Sequence, residues 1–277
     1  MIIFGPSGSS EEVVAAKMTR KQQYEYLSEL GLTAYEHPFT FGVNISANTQ
    51  KDLVEQFINN GIKLSIHAPY YINFASQEPE KVKNTYKYLL DSVEKAREIG
   101  ADRVIFHPGS LTNLTREQAV ENCINNLKEF IKILDAKGVN DCYICPETMG
   151  KHGQIGTWQE VARMCELDER IIPCIDFGHI NAFTLGSLDS EEKYDEIFDC
   201  FINKLGKREI HIHFSRIEFT SKGEKRHLTL EEDSEFGPDF KQMINSAQKF
   251  DANIRIISES NGTQTLDSNK MKEYYKK

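Results

Sequence analysis

Short apolar, β-branched runs alternate along the chain with longer stretches in which apolar residues recur every three or four positions. The runs "MIIFG" (1–5), "LTAYEHP" (32–38), "KLSIHAP" (63–69), "DRVIFHP" (102–108), "DCYICPE" (141–147), "IPCIDF" (172–177), "EIHIHFS" (209–215) and "NIRIISE" (253–259) predict eight strands. Between them the period changes. Over 82–99, Val82, Tyr86, Leu89, Val93 and Ala96 step by four and three, which places them on one face of an amphipathic helix. The segment 115–137 opens on Thr115 with Gln118 three residues later, a capping box, and Gly138 stands where that helix should stop. Further helices are predicted over 20–30, 50–60, 157–167, 188–204, 237–249 and 267–276.

Eight strands alternating with helices at this length predict an α/β fold, a (β/α)₈ TIM barrel. An open doubly wound sheet is the alternative. It usually carries a glycine-rich phosphate turn after its first strand, and "FGPSGSS" has the wrong spacing for one. No linker, low-complexity tract or block of charge divides the chain, so a single TIM-barrel domain is expected over residues 1–277.

In such a barrel the active site forms at the C-terminal ends of the strands. Strands three to eight end at His67, His107, Glu147, Asp176, His213 and Glu259, each about one β–α unit after the last. Two more histidines follow in loops: His179 in "DFGH" and His227 in "GEKRH". Any one of these could be a hydrogen-bonded core residue. Together, with no basic residue at any of the six strand ends, they would repel or stay undersolvated unless divalent cations offset the cost. A metal site at the strand ends is therefore expected. Imidazole and carboxylate without thiolate favour zinc, with manganese or iron as alternatives. Glu147, between His107 and Asp176 around the rim, is placed to bridge two ions. His211 lies two residues deeper than His213 and is read as a polar core residue. His37 also ends a strand and is read as facing solvent or substrate.

Composition narrows the class. The 277-residue chain holds 33 basic and 42 acidic residues, for a formal charge of −9. That argues against a generic nucleic-acid coat, which needs a strong positive field, but not against a nuclease whose local charge comes from bound metal. No apolar run approaches the ~18 residues of a membrane span, and the N-terminus lacks the basic start of a signal peptide. Six scattered cysteines suit a reduced, cytoplasmic chain. A monomer without membrane partners is expected. Cys142 and Cys145 in "CYIC" fall three apart on a strand, so their sulfurs should diverge into ordinary core positions.

The run "IHAPYYIN", then "FHPGS", "CPET", "CIDFGH", "IHIHFS" and the late "SES" resemble, in order, the endonuclease IV family of apurinic/apyrimidinic endonucleases over about residues 63–260. "FHPGS" and "IDFGHINAF" are the most specific pieces. The resemblance implies a TIM barrel with a three-zinc cluster that hydrolyses DNA on the 5′ side of abasic sites, with metal-activated hydroxide as nucleophile. It implies that His67 and His107 hold one zinc with Glu147. Glu147 would bridge to a second, held also by Asp176, His213 and Glu259, while His179 and His227 belong to the third. Glu147 or Glu259 would orient the nucleophile, and Tyr70 matches a position that enters DNA beside the flipped-out abasic nucleotide.

The chain departs from that pattern in three places. Where the family has Asp-x-His at the third zinc, this chain has Lys225-Arg226-His227; either Glu224 compensates or the third ion is weak or absent. Ser215-Arg216 replaces an Asn-Asp pair, and the first strand lacks the usual His-Val-Ser. Lys222, Lys225 and Arg226 could clamp a phosphate, Arg226 in bidentate fashion, or form a solvated turn. The chain also resembles xylose isomerase-like barrels, whose Glu-Asp-His-Glu quartet would be Glu147, Asp176, His213 and Glu259. That resemblance implies a sugar or sugar-phosphate isomerase or epimerase, in which one ion polarises a carbonyl. The partner is then abasic DNA in one case and a small sugar in the other.

Overall fold

The computed structural model describes residues 1–40, 42–231 and 235–277. Each apolar run forms a parallel strand: β1 (Ile2–Pro6), β2 (Ala34–Pro38), β3 (Lys63–His67), β4 (Arg103–Phe106), β5 (Tyr143–Pro146), β6 (Cys174–Asp176), β7 (Glu209–Phe214) and β8 (Asn253–Ser258). They pair as two half-sheets, one in the order β1-β8-β7-β6 and the other in the order β2-β3-β4-β5. Isolated bridges close the ring: Ser7 to Glu36 at one seam, Ile144 to Ile171 and Glu147 to Cys174 at the other.

Helices cover the outside, and their limits follow the predicted signals. Thr115 and Gln118 make the reciprocal capping bonds that start the helix Arg116–Ala136. Pro79 opens the helix Pro79–Ile99, which buries Leu89, Val93, Ala96 and Ile99 against the barrel. Between these two helices and β4, the rings of Phe74, Phe106 and Phe130 pack with centroids 5.4 and 5.8 Å apart. Truncating one such ring costs ~3–5 kcal/mol.

The barrel interior is layered. At the N-terminal end the buried guanidinium of Arg255 pairs with Asp102 at 2.9 Å, and that of Arg103 pairs with Glu209. Above them Ile105, Cys145, Ile172 and Cys174 form a small apolar plug. Histidines and carboxylates lie on top. Cys142 packs in the outer core and Cys145 in the plug, so the two sulfurs do diverge, and all six cysteines are free thiols.

One region corrects the sequence reading. The stretch after β7, expected as a loop, is an antiparallel hairpin of Arg216–Thr220 and Gly223–Leu228. Its register slips between Glu218 and Phe219, leaving a bulge in the second strand. No helix among the described residues is long and apolar enough to cross a membrane.

Candidate metal centre

Parallel strands with alternating faces bring the expected residues to one bowl. Glu147, on the bond that follows β5, is the hub. Its Oε2 lies 3.2 Å from His67 Nε2 and 3.1 Å from His107 Nε2. Its Oε1 lies 3.0 Å from His213 Nδ1 and 3.4 Å from His179 Nδ1. One carboxylate thus faces two separate pairs of imidazoles, one through each oxygen. Glu259 Oε1 approaches His213 Nδ1 at 3.6 Å, and Asp176 Oδ2 approaches His179 Nδ1 at 3.3 Å.

Ligand atoms of His67, Glu147 and His213 lie close enough together to hold one ion, as do those of Glu147, Asp176, His213 and Glu259. A third group, His179, Glu224 and His227, stands beside them. Glu147, Asp176 and His213 are buried, and Glu259 is partly open to solvent.

Local chemistry sets the orientations. Asp176 begins the short helix Phe177–Phe183, and its Oδ1 caps the backbone N–H of His179 at 2.7 Å. That leaves Oδ2 buried, aimed at the cluster and without a hydrogen-bond partner. His67 directs Nδ1 to the Ala68 carbonyl at 2.9 Å, which frees Nε2 for the bowl.

Carboxylates and imidazoles offset one another's charge across the bowl. Burial works against ionisation of Glu147, yet His213 and hydrogen bonds from His107, His179 and His213 hold it well below the usual carboxylate range. Burial, reinforced by Glu147 and Glu259, raises Asp176. Burial opposes the charge of His67, but Glu147, Glu36 and Glu259 lift it to about 9. The same contest, won by Asp176, Glu147 and Glu224, lifts His179 to about 10. His107 is lowered by burial and by its neighbours His67 and His179. Protons are thus held where positive charge is needed to balance the carboxylates. A divalent ion supplies the same charge with coordination in place of protons, and the orphaned Asp176 oxygen fits such an ion.

Sequence reasoning missed Glu36. It stands in β2, fully buried, with Oε1 at 2.9 Å from His213 Nε2 and Oε2 at 3.0 Å from His211 Nε2. The Ser65 hydroxyl donates to it at 2.9 Å. The signal was present: an acidic residue inside "TAYEHP", two before the strand-ending Pro38, has the parity that points inward. His37, with the opposite parity, packs edge-on against Phe39 outside the cluster. His211 lies beneath the bowl as expected.

The remaining expected residues divide. Tyr70 is exposed at the rim with its ring centroid 5.3 Å from that of His107. It borders a cavity of about 540 Å³ lined also by Tyr71, Tyr88, Lys81 and Ser110. Lys225 and Arg226 do not enter the cluster. Both lie in the exposed bulge, with Lys225 Nζ and Arg226 Nε against the carboxylate of Glu218.

The model of the xylose isomerase-like TIM barrel family matches residues 24–275. An uncharacterized protein of Methanocaldococcus jannaschii is 33% identical over 267 residues, covering 94% of this chain and 92% of its own length. A probable endonuclease 4 of Malacoplasma penetrans is 25% identical over 193 residues; the match covers 64% of this chain and only 65% of that relative. Among solved structures, a D-tagatose 3-epimerase-like protein superposes with a TM-score of 0.68 at 22% identity, covering 91% of each chain. Endonuclease IV from Thermus thermophilus superposes with a TM-score of 0.67 at 18% identity, covering 99% of this chain and 98% of that one. Both establish the fold, which the strand order and the family match show independently: this chain belongs to the xylose isomerase-like TIM barrel family.

Proposed function

We propose that this chain is a metal-dependent phosphodiesterase that cleaves DNA on the 5′ side of abasic sites. The observation that carries the reading is the division of Glu147, with one oxygen toward His67 and His107 and the other toward His213 and His179. A single-ion isomerase needs only Glu147, Asp176, His213 and Glu259. The extra histidines have a purpose where more than one ion is held. Zinc suits the imidazole–carboxylate set, and manganese or iron would also be accepted.

Bound ions would supply positive charge against the phosphate and acidify water near neutral pH. The chain's own residues would do the rest. Glu147 holds the two histidine pairs at fixed separation. Glu259, partly open to solvent beside His213, orients the attacking water and accepts its proton. Tyr70, exposed beside His107, occupies the space vacated when the abasic sugar leaves the stack, a step that costs little without a base. Lys225 and Arg226, exposed on the hairpin, offer two cations to an approaching phosphate, which would compete with Glu218 for them.

Incubating the zinc- or manganese-loaded protein with a duplex carrying one abasic site is expected to give a single incision 5′ to that site. No incision with either metal would end the reading. The second reading, a sugar isomerase or epimerase, is supported by the quartet Glu147, Asp176, His213 and Glu259, whose ligand atoms alone can hold an ion. It gains if metal analysis finds one ion per chain.

A further inference from the structure

We infer that Glu224, not a residue at position 225, completes a third metal site with His179 and His227. The inference rests on the metal-dependent reading above and adds a ligand specific to this chain.

Alternation along a strand would put residues 224 and 227 on opposite faces. The bulge changes that. Phe219 pairs with Glu224 and Glu218 pairs with Arg226, so Lys225 is the extra residue and parity is reset behind it. Glu224 and His227 therefore face the same side, while Lys225 and Arg226 go to Glu218. The lysine at 225 is not a ligand turned hostile; it has left the site.

The three inward groups converge. Glu224 Oε2 lies 3.5 Å from His179 Nε2, and Glu224 Oε1 lies 3.9 Å from His227 Nε2. The far nitrogen of each ring is engaged elsewhere. His179 Nδ1 lies 3.0 Å from the Thr148 carbonyl, and His227 Nδ1 lies 2.9 Å from the Ser215 hydroxyl, which is buried. With a proton on each Nδ1, both Nε2 lone pairs point at the same carboxylate. Outer hydrogen bonds of this kind orient metal-binding histidines.

The backbone is shaped for the approach. A Cβ on Gly150 would fall 2.8 Å from Glu224 Cβ and 2.9 Å from His179 Cδ2. A Cβ on Gly223 would fall 2.1 Å from the Gly150 carbonyl oxygen, and Gly223 has a φ of +91°. Glu224 N–H donates to that same carbonyl at 2.9 Å, which anchors the hairpin over the bowl. Lys151, 3.8 Å from Glu224 Oε1 and more than half exposed, is the one lysine or arginine beside the carboxylate among the described ion pairs.

Zinc equivalents per chain, measured by elemental analysis after equilibration in zinc buffers, test the inference on the full chain. Wild type and Lys225→Ala should each bind three, and Glu224→Ala should bind two. Glu224→Gln should weaken only the last equivalent, about tenfold or more. Circular dichroism checks that each variant folds, and His227→Ala, which should also bind two, covers a failure of the Glu224 variants. Three equivalents in a folded Glu224→Ala protein would overturn the assignment, as would a loss in Lys225→Ala. Two in wild type would overturn it and leave the metal-dependent reading standing. None in wild type would overturn both.

Discussion

Glu36 and His213 meet 2.9 Å apart at the bottom of the bowl, carboxylate Oε1 against imidazole Nε2. The contact leaves His213 Nδ1 as the nitrogen that faces Glu147 and Glu259. A carboxylate behind a metal-binding imidazole fixes its tautomer and raises its basicity. Glu36→Ala is therefore expected to lower zinc affinity about 10- to 100-fold, read by competition with a chromophoric chelator. Unchanged affinity in the folded variant would remove Glu36 from the metal centre.

Tyr70 touches the cluster's edge but holds none of it. Tyr70→Ala should keep its full zinc content and lose abasic-site incision by about 5- to 150-fold, the equivalent of a ~1–3 kcal/mol stacking contact. Tyr70→Phe should stay near wild type. Wild-type incision rates in Tyr70→Ala would show that the ring does not meet DNA.

Lys225 and Arg226 stand with Glu218 on the outer face of the hairpin. Replacing both basic residues with alanine should weaken binding to an abasic duplex and flatten its salt dependence, by a slope of about 0.9 for each phosphate no longer neutralised. Glu218→Ala should do the opposite. Fluorescence anisotropy across a salt series separates these outcomes; an unchanged slope in both variants would assign the pair to solvent.

Burial and the nearby Arg20 depress His37 to about 4 from the ordinary 6.5. Between those values the unfolded chain binds the proton and the folded chain does not. Stability from this group is therefore fully present above about pH 6.5 and lost as pH falls toward 4. Urea midpoints measured at pH 7.5 and pH 5 should fall further for wild type than for His37→Gln. An equal drop in both proteins would show that His37 ionises freely in the fold.

The legible part of this protein is the part governed by period. Strand alternation placed His67, Asp176 and His213 on the inner face of their strands, and helix signals such as Thr115 with Gln118 marked boundaries correctly. Glu36 was readable by the same rule, but it stands inside its strand, two residues before the end, and the search for ligands followed the strand ends. The hairpin was not readable in that way. Whether Glu224 or Lys225 faces inward depends on a register slip between two strands, and pairing across a turn leaves no periodic trace in either one. The turns Leu53–Phe57 and Asp199–Lys204 likewise widen to π-helix inside segments whose pattern reads as ordinary helix.

The seams of the barrel give the bowl a mechanical role. His67, His107 and Glu147 belong to one half-sheet, and Asp176, His213 and Glu259 to the other, while no continuous ladder joins the halves among the described residues, only isolated bridges and scattered backbone hydrogen bonds such as Thr33 N–H to the Phe4 carbonyl. Any cation gripped by Glu147 and Asp176 together rivets the two staves where the main chain grips least. Loading the bowl would then stiffen the whole cylinder, and stripping it would let the cylinder part first along those two lines.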